Sequence, residues 1–204
     1  MATADFDNDG DLDVYVTNIG KDGLYLNEGG VFTRAPAAAL VSSDDWSSSA
    51  SFLDYDRDGD LDLFVCHYLR DNSSRICSTS LKEKRDYCGP DKFQGVRDSL
   101  YRNEGNGRFS NVTVEAGISR ALPGFGVICF DLTGDGWVDI YVANDMKPNQ
   151  LWVNQRDGSF RDEALARGVA LSGAGKSEAG MGVALGDADG NCLLYTSPSP
   201  RDRG

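Results

Sequence analysis

The chain has 204 residues, with 20 Lys and Arg against 32 Asp and Glu, for a formal charge of −12. That acidity argues against nucleic-acid binding, which wants a basic face, and no apolar run reaches the length of a membrane span. With one histidine and no GxSxG, Walker or Rossmann glycine pattern, the sequence offers no catalytic constellation.

The chain opens inside a predicted strand, because Met1 stands in the column later held by Ala50 and Val127. An upstream extension of the native protein, signal peptide included, is therefore expected. A loop follows as Asp5-Phe6-Asp7-Asn8-Asp9-Gly10-Asp11-Leu12-Asp13. Behind it, Val14-Tyr15-Val16-Thr17 is short, apolar and rich in β-branched and aromatic residues, which predicts a strand. Leu24-Tyr25-Leu26-Asn27, a glycine-containing turn and Phe32 predict a third strand, a hairpin and a fourth strand.

The unit then returns. Ala50-Ser51-Phe52-Leu53 leads into Asp54-Tyr55-Asp56-Arg57-Asp58-Gly59-Asp60-Leu61-Asp62, then Leu63-Phe64-Val65-Cys66, Leu100-Tyr101-Arg102-Asn103 and Phe109. Next come Val127-Ile128-Cys129-Phe130, the loop Asp131-Leu132-Thr133-Gly134-Asp135-Gly136-Trp137-Val138-Asp139, Ile140-Tyr141-Val142-Ala143, Leu151-Trp152-Val153-Asn154 and Phe160. Val183-Ala184-Leu185-Gly186 and a loop that starts as Asp187-Ala188-Asp189-Gly190-Asn191 begin a fourth unit, which breaks off. Ahead of the loops, residues two apart share columns, which is one face of a strand.

A unit of strand, loop, strand, strand, turn, strand describes the four-stranded antiparallel blade of a propeller. The expected fold is all-β: a β-propeller fragment over residues 1–191, with blades at 1–45, 46–118, 119–171 and a truncated 172–191, about three blades and the start of a fourth. The second blade carries an insertion at 67–98. A blade cannot bury both faces alone, and three or so cannot close a ring that typically needs at least four. The chain thus reads as a piece of a larger protein whose remaining blades cover its outer faces. Residues 192–204 lack the repeat pattern. Back-translated, they resemble a transposase adapter used in sequencing libraries, so this segment is read as a non-native tail.

The loops share the pattern D-x-D-x-D-G-x-x-D. Carboxylates at alternate positions of a tight loop can converge on one hard cation, and glycine at position six permits the sharp turn. Unlike an EF-hand, position twelve is Val16, Val65 or Val142, the closing acid stands at position nine, and a strand follows rather than a helix. The candidate calcium ligands are Asp5, Asp7, Asp9, Asp11 and Asp13; Asp54, Asp56, Asp58, Asp60 and Asp62; Asp131, Thr133, Asp135, Trp137 and Asp139; and Asp187, Asp189 and Asn191. Position seven (Asp11, Asp60, Trp137) varies, as expected where the backbone carbonyl is the ligand. Thr133 is a neutral, weaker ligand, so the third loop is expected to be the weakest complete site.

Cys66 and Cys129 occupy strand columns that suit small buried hydrophobes. Cys77 and Cys88 flank a polar stretch with little to form a core, where a cross-link would help. A Cys77–Cys88 disulfide is the leading expectation, against two free thiols or Cys66 paired with one of them. His67 falls at a strand end in the column of Asn18 and Asn144, which suggests a hydrogen-bonded structural role. Trp46, Trp137 and Trp152 suit blade packing, and Asn72-Ser73-Ser74 and Asn111-Val112-Thr113 match the glycosylation sequon.

These units resemble the FG-GAP, or VCBS-type, repeats of integrin alpha-like β-propellers. Phe125-Gly126 and Met181-Gly182 stand at the FG position, and the loops match the family's calcium motif. Asp86-Tyr87-Cys88-Gly89-Pro90 and the run from Asp98 to Phe109 are similar to bacterial proteins of the cartilage acidic protein type, which often carry an ASPIC/UnbV-like C-terminal domain. The resemblance implies a calcium-stabilised propeller, seven-bladed when complete, that is extracellular, periplasmic or on the cell surface. It implies no activity. The leading expectation is a non-enzymatic adhesion or binding module for a protein or carbohydrate ligand; the alternative is an accessory or catalytic propeller of a secreted hydrolase or lyase.

Overall fold

Period-two apolar runs pair into three four-stranded antiparallel sheets in this computed structural model, which describes residues 1–36, 39, 44–70, 76–78, 85–86, 88–105, 107–186 and 195–196. Asp187, Asp189 and Asn191 of the fourth loop, the Asn72-Ser73-Ser74 sequon and most of the 192–204 tail lie outside the described residues. The first sheet is β1 (Ala2–Ala4), β2 (Asp13–Val16), β3 (Gly23–Glu28) and β4 (Val31–Arg34). In the second blade, β5 (Ser47–Leu53) and β6 (Asp62–His67) are separated by an insertion from β10 and β11. That insertion holds β7 (Cys77–Ser78), β8 (Arg85–Asp86), a 3₁₀ turn at Pro90–Lys92 and β9 (Val96–Arg97). The sheet closes with β10 (Ser99–Asn103) and β11 (Phe109–Asn111). After β12 (Ala121–Leu122), the third blade is β13 (Gly124–Phe130), β14 (Asp139–Asn144), β15 (Gln150–Asn154) and β16 (Phe160–Asp162). A last pair, β17 (Leu185–Gly186) and β18 (Tyr195–Thr196), joins two short segments.

All three blades use one register. The loop's closing acid pairs with the residue just before its first Asp, as Ala4↔Asp13, Leu53↔Asp62 and Phe130↔Asp139. Each acidic loop is therefore the connection between a blade's first two strands.

Stacking buries what a lone blade would expose. Every residue of β6 is buried. Its alternate side chains Leu63 and Val65 join Phe6, Tyr15, Leu24 and Tyr101 of one core, while Phe64 and Cys66 face Ile140, Val142 and Trp152 in the next. Position two of the first two loops plugs the following blade: Phe6 lies 5.4 Å from the Phe109 ring, and Tyr55 5.9 Å from Phe160. Gly126 needs its missing side chain, since a Cβ there would stand 3.2 Å from the Gly182 backbone.

The insertion packs against the blades. Tyr68, Leu69 and Val96 are buried, β9 pairs with β12, and Tyr68 donates a 2.7 Å hydrogen bond to Asp145 of the third blade. The stem is thus wedged between second and third blades. Cys77 and Cys88 are joined by a disulfide, with their Cα atoms 5.3 Å apart. Cys66 is free and fully buried, and Cys129 is free and partly buried, packed against the same core.

Candidate metal centres

The loop backbone is set by its own acids. In the first loop, Asp5 accepts the N–H groups of Asp9 and Gly10 at 3.1 and 3.0 Å, and Asp9 accepts that of Asp11 at 2.8 Å. Position four is left-handed in both acidic loops, with φ 60° at Asn8 and 63° at Arg57. The closing acid is a staple. Asp13, Asp62 and Asp139 each accept an N–H from position two (Phe6, Tyr55, Leu132) and another from the third strand (Asn27, Asn103, Asn154).

Around that frame the remaining carboxylates converge. Oxygens of Asp5, Asp7 and Asp13 lie within 4.8 Å of one another, and so do those of Asp54, Asp56 and Asp62. Oδ1 of Asp54 and Oδ1 of Asp56 are buried without a hydrogen-bond partner. Buried polar atoms are nearly always paired, so two unpaired carboxylate oxygens side by side call for a cation. The electrostatics agree. Burial and the neighbouring acids push Asp7, Asp13 and Asp56 above the ordinary carboxylate range, and Asp62 up to about 7. A divalent ion would relieve both the desolvation and the mutual repulsion, and oxygen-only ligation suits a hard cation such as calcium. Asp9 and Asp58 line the same two loops but stand outside the tight trios.

Position seven does other work with its side chain. Asp11 accepts the Gly29 N–H at 2.7 Å, and Asp60 accepts the Asn8 amide of the preceding loop at 3.2 Å. Trp137 is half-buried and lies under the Arg57 guanidinium, 4.4 Å from its ring centroid. In the third loop Thr133 replaces a carboxylate at position three, and Asp135 is bound by Arg156.

Two features escaped the sequence reading, whereas the structural role expected of His67 is observed. Asn103 and Asn154 donate their side-chain amides to the position-two carbonyls of the preceding blade, Phe6 and Tyr55, at 2.9 and 2.8 Å. Asp22, Asp98 and Asn149 accept the backbone N–H groups of Asn18, His67 and Asn144. Each stands two residues before the Leu of the Leu-x-x-Asn signature, a recurrence that could have flagged it. His67 is buried and its ring nitrogens lie 3.3 Å from Ser47 Oγ and 3.1 Å from Ser99 Oγ; burial pushes its pKa down, so it is a neutral structural group. Thr113 of the second sequon match is also structural, buried and bonded to the Leu100 backbone.

The sequence profile described as FG-GAP-like repeat matches residues 5–65, 94–142 and 131–194, most of the chain. The chain belongs to the FG-GAP-like repeat family. Each matched segment contains at least one of the acidic loops. Over 77 residues the chain is 36% identical to cartilage acidic protein 1 of Mus musculus and of Homo sapiens, a stretch covering 38% of this chain and 11% of each relative. A solved structure concerned with recognition of non-reducing terminal N-acetylglucosamine by an Agrocybe aegerita lectin aligns over 95% of this chain and 61% of that one. It does so at 18% identity and a TM-score of 0.26, too low to carry an argument. Among the described residues no helix is long and apolar enough to cross a membrane, which says nothing of β-barrels.

Proposed function

We propose that this chain is a calcium-stabilised, non-enzymatic binding or adhesion module that works outside the cytosol on a protein or carbohydrate ligand. The observation that carries the reading is the convergence of two carboxylate trios, Asp5-Asp7-Asp13 and Asp54-Asp56-Asp62, in equivalent loops at successive blade seams. Those residues would hold the ion, and a bound calcium would supply charge neutralisation that fixes the seam. The seam side chains Phe6 and Tyr55, in the same loops, would thereby be held against the next blade. Family membership supports an interaction role, and the Cys77–Cys88 disulfide suits an oxidising compartment. The buried, neutral His67 offers no acid–base group to solvent.

Extracellular calcium modules bind with dissociation constants of about 10⁻⁴–10⁻³ M, so millimolar calcium should add of order 1 kcal/mol per site by mass action. Thermal melts in calcium and in chelator test the metal half of the proposal: an unchanged midpoint would refute it. Binding to immobilised matrix proteins and glycans, with and without calcium, tests the rest. Turnover of a polysaccharide or phospholipid by the purified chain would overturn the non-enzymatic reading.

A further inference from the structure

The third loop has the family's shape but a different charge plan. Both oxygens of Asp131 accept N–H groups, from Asp135 and Gly136. Asp139 Oδ1 takes the N–H of Asn154, and Oδ2 takes those of Leu132 and Thr133. Asp135 Oδ1 takes the Trp137 N–H, and its Oδ2 is bound by the Arg156 guanidinium at 2.8 Å. Every carboxylate oxygen of the loop therefore has a donor from the protein itself. The one buried atom left without a fixed partner is a neutral hydroxyl, Thr133 Oγ1, where the second loop leaves two carboxylate oxygens. Asp135 is held below the ordinary carboxylate range, chiefly by Arg156, whereas burial raises Asp56 and Asp62 of the second loop.

The hairpin beside the loop changed with it. Arg156, Gly105 and Gly29 each stand two residues after the Asn of the third strand, and all are left-handed, at φ 66°, 68° and 60°. Only glycine accepts that region freely. In the second blade a Cβ on Gly105 would stand 2.7 Å from Asp60 Oδ2, so that carboxylate would have to move aside. In the third blade position seven is Trp137 instead of Asp, and an arginine enters despite its strained backbone. A second guanidinium, Arg57, bonds the Gly136 carbonyl and covers Trp137.

We infer that Arg156 is the built-in cation of the third loop, so that this loop closes without a metal ion where the first two take one. The inference rests on the calcium reading of those two loops. It makes Arg156 a determinant of how many ions the three loops hold, and gives the third blade a seam that does not loosen when calcium falls.

Trp137 lies inside the third loop, so terbium bound there would be sensitised by it. In an Asp54→Asn/Asp56→Asn background, which removes the ion of the neighbouring second loop, Trp-excited terbium emission should be the same with Trp137 and with Trp137→Phe, because no ion sits in the third loop. Arg156→Gly, which restores the residue of the other two hairpins, should gain an emission component that Trp137→Phe removes, with at least a tenfold rise in the loop's apparent terbium affinity. Arg156→Gln, which keeps most of the side chain without the charge, should gain it too. Emission that falls with Trp137→Phe in that background would overturn the inference, and so would the lack of any gain in both Arg156 variants. The calcium reading is scored apart, by calorimetric binding heat that Asp7→Asn and Asp56→Asn should each reduce.

Discussion

Asp56 and Thr133 hold the same position of the same loop, and Gly105 and Arg156 the same position of the hairpin beside it. In the second blade these places leave unpaired buried oxygens; in the third they hold a neutral hydroxyl and a guanidinium on Asp135. One backbone plan is thus closed in two ways. What the loop needs is positive charge at its centre, and either a dissolved ion or a side chain can supply it. The side chain costs a left-handed non-glycine residue but is insensitive to ion concentration, whereas a metal-closed loop can respond to its surroundings.

The largest effect should fall on what the two blades share. Asn103 and Asn154 each bridge a loop carbonyl of their own blade and the position-two carbonyl of the preceding one. Asn103→Ala or Asn154→Ala strands buried carbonyls and should cost about 2–4 kcal/mol. Chemical denaturation should show nearly the same loss in calcium and in chelator. Asn27, whose amide reaches only Leu12 of its own blade, should cost less as alanine, about 1 kcal/mol. A loss at Asn154 that appeared only in chelator would mean that the two seams are not built alike.

A second contrast is charge in the core. Asp98 and Asn149 do the same job, accepting the backbone N–H of His67 and of Asn144. Asp98 is 1% exposed, and burial pushes its pKa up to about 8. The unfolded chain ionises it near an ordinary value of about 3.9. The folded state therefore holds the proton more tightly, and this group's contribution is fully present below about pH 3.9 and lost as pH rises through about 8. Asp98→Asn, copying the third blade, keeps the acceptor and removes the charge. It should raise stability at pH 8 by about 1–3 kcal/mol and flatten the pH dependence between 4 and 8. A variant less stable than wild type at pH 8 would show that Asp98 is paired better than its single hydrogen bond indicates.

The metal contrast is smaller and changes sign. In chelator Asp56→Asn removes one of several crowded carboxylates, and burial already holds Asp56 and Asp62 above the ordinary carboxylate range. It should raise the melting midpoint there and lower it in calcium, a crossover worth about 1 kcal/mol each way. Thr133→Asp should reverse neither trend at its own loop while Arg156 remains. A uniform drop in both buffers would place Asp56 among structural residues and not among ligands.

How much of this could be read from the chain depended on sequence distance. The loops, the strands behind them and the hairpin signature were legible because alternation and D-x-D-x-D-G are local and repeat. The left-handed turn at Gly105 was legible as a turn, but the guanidinium that replaces it was not: Arg156 meets Asp135 across 21 residues, and Asn154 reaches Tyr55 across 99. Nothing in the local pattern ties those partners together. Tyr68 likewise read as part of the insertion, although its hydroxyl crosses 77 residues to Asp145. Strand order within the third blade brings Arg156 to Asp135, and stacking of blades brings the other two pairs together; their placement is what distinguishes one loop from another.

The smallest test asks whether the two kinds of loop communicate. Asn8 and Arg57, at position four of their loops, reach the next loop along, to Asp60 and to Gly136 with Trp137. At the third loop position four is Gly134, which has no side chain to pass on. Arg57 is exposed, so its cation–π contact and hydrogen bond should be worth only about 0.5–1 kcal/mol together. Arg57→Ala should lower stability by that amount and shift Trp137 fluorescence, since the ring loses its cover. It should also weaken the effect of calcium on that fluorescence, because Arg57 joins the metal-dependent second loop to the ring. If calcium still moves the Trp137 signal equally in Arg57→Ala, the second loop reaches the third through Asn154 and Tyr55 instead. The seam would then be one rigid body and not two loops latched by an arginine.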